Sequence, residues 1–159
     1  MDVSGKKALV FGGTSGIGLA TAKKLKDKGA EVVVISRDPS KAGDLDGIKT
    51  LSCDVRDTDA LSALFASEAP FDILISAATG GSRAAGPFLK MDIEGYRNSF
   101  DKLWGYTNTV RLGLSQLSKN GCIVLVSGSP ARKCKPGQIA LASVGGAVEA
   151  FSRSLASEI

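Results

Sequence analysis

The chain has 159 residues, 43% hydrophobic and 23% charged, which fits one ordinary globular domain with a core of useful size. Net charge is +4 without a basic run interleaved with aromatics, and no apolar run nears the ~20 residues of a membrane span, so neither nucleic acid nor membrane is an expected partner. There is no histidine, which removes the Ser-His-Asp triad, the Cys-His dyad and the commonest zinc ligand, and no metal site is expected. The chain enters a strand pattern at once, at 7–13 (KALVFGG), with no leader-like segment ahead of it. A helix follows over 17–28, its apolar face carrying Ile17, Ala20 and Leu25, closed by Gly29. Strands are expected at 31–36 (EVVVIS) and 48–53 (IKTLSC). A helix over 57–67, capped by Asp57 or Thr58, turns Leu61, Leu64 and Phe65 inward. A fourth strand at 71–76 (FDILIS) leads into a Gly-rich loop, 77–87. One long helix is expected over 88–118, with Tyr96, Phe100, Leu103, Thr107, Val110, Leu114 and Leu117 stepping by three or four. A fifth strand at 122–127 (CIVLVS) and a helix over 137–159, with Leu141, Val144, Val148, Phe151 and Leu155, complete the chain. Cys53, Cys122 and Cys134 lie far apart without CxxC spacing, which reads as reduced thiols and a cytoplasmic protein.

Apolar strands alternating with helices build βαβ units and a parallel sheet. Right-handed crossovers make it doubly wound, with strand order 3-2-1-4-5 expected. Ligands of such sheets sit at the carboxyl ends of the strands, where the 77–87 loop stands.

Residues 10–18 read VFGGTSGIG, placing Gly12, Gly16 and Gly18 between the first strand and the first helix. Glycines there let the backbone approach an anion, and the N–H groups and dipole of the helix bind a diphosphate. Roughly 20 residues on, an NAD site carries an acid for the ribose 2′-OH. Here the second strand ends in Ser36 and Arg37, a small residue followed by a guanidinium suited to a 2′-phosphate. NADP(H) is therefore the expected cofactor, with Asp38 as the competing signal. Asp54, just after the third strand, is placed for the adenine amino group, or else begins the next turn.

With GGTSGIG at 12–18, Ser36–Arg37, CDV at 53–55, FDILIS before AAT, and EAFSRSLASEI at the end, the sequence resembles the short-chain dehydrogenase/reductase family along essentially its whole length. The resemblance implies a single NADP(H)-binding Rossmann domain over 1–159. It also implies that Gly12, Thr14, Ser15, Gly16, Ile17, Arg37, Asp54, Val55 and Ala77 line the cofactor. Family members continue into a sixth and a seventh strand with a substrate lid between them, so a longer product is expected beyond Ile159.

The family's catalytic tetrad, an Asn, a Ser, a Tyr and a Lys, does not carry over. Its positions align with Lys102, with Gly128 (flanked by Ser127 and Ser129), with Leu141 and with Gly145. The only tyrosines are Tyr96 and Tyr106, and no lysine follows Lys135. Arg132 and Lys133, in SGSPARKCK after the fifth strand, and Lys102 are the replacement candidates for polarising a carbonyl, orienting an anion or stabilising developing charge. Hydride transfer to an iminium needs no proton donor at all. Family members without the tetrad include fungal alkaloid-pathway enzymes that reduce an iminium and guide a cycloaddition.

Gly145 and Gly146 inside a helix read either as space for a ligand or as helix packing. Three functions stay open: an atypical NADP(H)-dependent reductase of a small organic substrate, a cofactor-binding pseudoenzyme, and a cyclase or pericyclic catalyst. Trp104 and Leu112 lie beside the main stripe of the 88–118 helix, and a homodimer or homotetramer through 88–118 and 137–159 is the expected assembly.

Overall fold

The computed structural model describes residues 2–79 and 81–159; Gly80, within the 77–87 loop, lies outside the described residues, as does Met1. Five strands form one sheet of order β3-β2-β1-β4-β5: β1 Lys7–Phe11, β2 Glu31–Ser36, β3 Lys49–Ser52, β4 Phe71–Ser76 and β5 Leu117–Leu125. The helices are α1 Gly16–Asp27, α2 Thr58–Glu68, α3 Ile93–Asn98, α4 Asp101–Gly113 and α5 Ile139–Leu155. Pairing is parallel between β1 and β2, β1 and β4, and β2 and β3, with Phe11 opposite both Ile35 and Ser76. The doubly wound order read from the sequence is the order found.

Contacts divide the chain into two compact units, residues 1–78 with 106–124, and residues 79–105 with 125–159. In the first, alternate residues of the central strands face opposite ways. One face sets Ala8, Val10, Val32, Val34, Ile73 and Ile75 against Ala22 and Ala30, with Leu19 and Leu25 packed alongside. On the other face the Phe11 ring lies 5.7 Å from that of Phe65 of α2, and Phe71, the first residue of β4, also brings its ring 5.7 Å from Phe65. Asp57 caps α2 by accepting from the Asp59 and Ala60 amides, and Leu61, Leu64 and Phe65 are buried as the periodicity requires. Glu68, at the end of α2, is 3% exposed, and its carboxylate meets Lys7 at 3.0 Å and Lys49 at 2.5 Å. Burial alone would raise its pKa, but the two ammonium groups outweigh that and hold it below the usual carboxylate value.

Ile17 and Ala20 of α1 are exposed, and the buried positions are Gly18 and Ala22. Small residues let this helix lie close to the strands, and glycine and alanine leave little hydropathy signal. The third strand is one residue shorter at each end than expected.

The single helix expected over 88–118 is broken. A 3-10 turn at Phe88–Lys90 gives way to extended Met91, and Asp92 caps α3 through the Glu94 and Gly95 amides. The Ser99 hydroxyl donates to the Gly95 carbonyl, and the Phe100 amide reaches back only three residues, to Arg97, so the helix tightens and restarts as α4. Leu117, counted as helical, opens β5, and the polar stretch 118–121 continues that strand at the sheet's edge.

In the second unit, the turn Ser129–Ala131 leads to α5, which buries Ala140, Val144, Gly145 and Val148. The Gly86 amide donates to the Gly137 carbonyl at 2.9 Å, and the Tyr96 hydroxyl donates to the Ser143 hydroxyl at 3.1 Å.

Candidate functional site

The turn between β1 and α1 is shaped by its glycines. Gly12 has φ +76° and lies against the Ala77–Ala78 backbone, where an added Cβ would stand 2.5 Å from the Ala78 nitrogen. An added Cβ on Gly18 would stand 2.2 Å from the Gly12 carbonyl oxygen. The Ala77 amide donates to Phe11 at 2.8 Å, so the end of β4 is tied to the turn. Gly16 differs: its φ is +51°, and an added Cβ would meet nothing within 4 Å. It opens α1, whose N-cap Ser15 makes no side-chain cap and whose first turn holds no acid. The first-turn amides have no side-chain cap, and the positive end of the helix dipole lies at Gly16. Ile17, 64% exposed, flanks that space.

At the end of β2 the Thr14 hydroxyl donates to the Ser36 hydroxyl at 3.2 Å, joining turn and strand. Ser36 also accepts from the Asp38 amide at 3.1 Å. Arg37 is exposed, and among the described residues it forms no ion pair. Asp38, the competing acid, is committed locally. Hydrogen bonds from Ser40 chiefly, with Lys41 at 3.6 Å, hold its carboxyl below the ordinary value. Asp54 is gripped by Arg56, with the guanidinium Nη2 2.7 Å from Oδ2 and Nε 3.1 Å from Oδ1, and that contact lowers its pKa. Its neighbour Val55 is buried, and its carbonyl accepts from Asn108 Nδ2 of α4 at 3.0 Å. All eleven positions singled out for a nucleotide (Gly12, Thr14, Ser15, Gly16, Ile17, Gly18, Ser36, Arg37, Asp54, Val55 and Ala77) fall within the first unit. The open space at Gly16 and the helix end without a side-chain cap fit a dinucleotide diphosphate.

The second unit holds a cavity of about 140 Å³. Lys102, Gly128, Leu141 and Gly145 all line it. Arg83 and Lys102 supply its cations, Thr79, Ser99 and Ser127 its hydroxyls, and Pro130, Leu141 and Val144 its apolar wall. Burial, and then the nearby Arg83 guanidinium, push the Lys102 ammonium below the usual lysine range. The Ser127 hydroxyl donates to the Gly145 carbonyl at 3.1 Å. Of the glycine pair, Gly145 is a packing residue: its added Cβ would stand 2.9 Å from the Ala131 Cβ, while at Gly146 it would meet nothing.

Of the three candidate catalytic cations, only Lys102 lines the cavity. Arg132 points its Nε to Glu149 at 3.1 Å and is 77% exposed, and Lys133 is exposed on the same turn. Arg83 escaped the sequence reading. It sits in the Gly-rich 77–87 loop, whose place after β4 was the available signal, but nothing in its local sequence marks it. Ser99 was also missed; it is buried, and its hydroxyl accepts from the Ala84 amide at 2.9 Å and so anchors that loop.

Among the described residues no helix is long and apolar enough to cross a membrane. The sequence model of the short chain dehydrogenase family matches residues 6–159. The chain is 29% identical to carbonyl reductase (NADPH) 2 from Sus scrofa, over all of this chain and 68% of that protein. It is 30% identical to D-erythrulose reductase from Gallus gallus, over all of this chain and 67% of the relative. A solved structure of a short chain dehydrogenase/reductase family protein superposes with a TM-score of 0.87 at 30% identity, over 99% of this chain and 70% of that one. The family and these reductase-named relatives support an oxidoreductase with a nicotinamide cofactor. Matched from β1 to its last residue and folded on the same five-strand sheet, the chain belongs to the short-chain dehydrogenase family.

Proposed function

We propose that the protein is an NADP(H)-dependent oxidoreductase of a small organic substrate. The observation that carries the cofactor choice is the contrast at the end of β2: Arg37 is outward and without an ion pair among the described residues, while Asp38 is turned onto Ser40 and Lys41. A relative named for NADPH supports the same choice. The uncapped start of α1 holds the diphosphate, with Gly12, Thr14, Ser15, Gly16, Ile17 and Gly18 as the cradle. Val55 and Asp54 stand at the adenine end, and Ala77 closes the turn. A bound nicotinamide supplies or accepts the hydride.

Substrate binds in the cavity of the second unit, where Lys102 holds and orients it. Two cations in that cavity speak for a carbonyl or a neutral imine over a cationic iminium, which they would repel. Relatives named as reductases of carbonyl compounds point the same way. The test is oxidation of NADPH, followed by absorbance, with separate panels of ketones, imines and iminium salts. Turnover of the first two groups only is expected; turnover of iminium salts alone would contradict the substrate assignment.

A second reading is a cofactor-binding pseudoenzyme, supported by the sequence resemblance, which sets Leu141 and Gly145 against the family's Tyr and Lys. Tight NADPH binding without turnover of any panel would establish it. Product formation with the cofactor's redox state unchanged would instead establish a cyclase. For assembly, the exposed Leu89 (95%) and Trp104 (63%) support a homodimer or homotetramer through 88–118 and 137–159. Three free cysteines fit a reducing, cytoplasmic setting.

A further inference from the structure

Resting on the oxidoreductase reading, the geometry points to a substrate that is itself an acid: the cavity lined by Arg83 and Lys102 is a subsite for the carboxylate of a small organic carbonyl compound. Both cations line one cavity, and none of the described residues lining it is acidic. Two like charges lining one small space favour an anionic guest over a neutral or cationic one. The lowered basicity of Lys102, from burial and from Arg83, is the mark of that crowding.

Two of the three lining hydroxyls are already engaged. Ser99 donates to the Gly95 carbonyl at 2.8 Å, and Ser127 donates to the Gly145 carbonyl at 3.1 Å, so both are committed within the protein. A polyhydroxy substrate would find few donors here. A planar guanidinium beside an ammonium instead suits two carboxylate oxygens. The rest of the cavity, Pro130, Leu141 and Val144, is apolar, and about 140 Å³ approximates the space that holds a single six-membered ring. The occupant is therefore a compact, mostly apolar acid.

The test is calorimetric titration of the full chain with benzoate, benzamide and benzylamine, in the wild type and in the Arg83→Gln, Lys102→Gln and double variants. Benzoate is expected to bind at least about tenfold tighter than benzamide, with benzylamine weakest. Each single variant reduces that preference, and the double variant abolishes it. Equal binding of benzoate and benzamide overturns the proposal, as does a preference unchanged in both single variants. Arg83 is exposed, so its variant folds; if Lys102→Gln does not, loss of the preference in Arg83→Gln and its weakening with added salt decide the matter. NADPH titrated separately keeps the two readings apart. Nucleotide binding with no benzoate preference sinks the acid subsite alone. A benzoate preference without nucleotide binding sinks the oxidoreductase reading and leaves the anion site standing.

Discussion

Gly145 of α5 packs on Ala131 so closely that an added Cβ would stand 2.9 Å from the Ala131 Cβ, whereas its neighbour Gly146 faces open space. The two glycines therefore answer to different physics. Gly145→Ala forces the helix or the Ser129–Ala131 turn to move, at about 1–3 kcal/mol. Gly146→Ala gains helix propensity, up to about 1 kcal/mol, with nothing to clash against. Chemical denaturation of the two variants should show opposite signs.

At the β1–α1 turn, Gly16→Ala separates folding from binding. The substitution meets no atom, but φ +51° strains an L-residue by roughly 1–2 kcal/mol. Its methyl enters the space where the diphosphate belongs. We expect a modest drop in thermal stability and a loss of NADPH affinity beyond about tenfold. Unchanged affinity would place the diphosphate elsewhere.

Arg37→Asp replaces a guanidinium with a carboxylate that accepts from a ribose 2′-OH and repels a 2′-phosphate. Loss of a charge-assisted contact of about 1.5–3 kcal/mol weakens NADPH by roughly tenfold to a hundredfold, and NADH tightens relative to it. Paired titrations with the two nucleotides check the reversal.

Glu68 supplies a pH dependence. Its pKa is lowered in the folded protein, so the unfolded chain binds more protons as the pH falls. The stabilisation is fully present above the unfolded value near 4.3 and is lost as the pH drops through the folded value. Glu68→Gln should cost roughly 2 kcal/mol at neutral pH and flatten the stability profile below pH ~4. Denaturant melts across the acid range read both effects.

How far the sequence speaks differs between the two units. In the first, the central strands β1, β2 and β4 are short apolar runs bounded by polar or glycine residues, and the βα alternation with right-handed crossovers makes the sheet doubly wound. The glycine turn and Arg37 are equally local, so the positions proposed for a nucleotide stand out in the sequence itself. In the second, the helix break at Ser99 depends on one hydroxyl bonding back to Gly95, which a count of apolar spacing does not see. Arg83 lines the cavity from a segment held by Gly81 against Asn98 and Asp101 and by Ala84 bonded to Ser99, contacts that no local sequence pattern announces. Arg132 carried the right charge at the right sheet edge, but its strongest contact is Glu149, a residue 17 positions on.

Calorimetric titration of the full chain with NADPH and with NADH bears most directly on the claim that the β1–α1 turn and Arg37 hold a 2′-phosphorylated dinucleotide. The account predicts saturable binding of both, with NADPH tighter by about tenfold or more. Absence of binding by either nucleotide, or an equal or tighter grip on NADH, would contradict it.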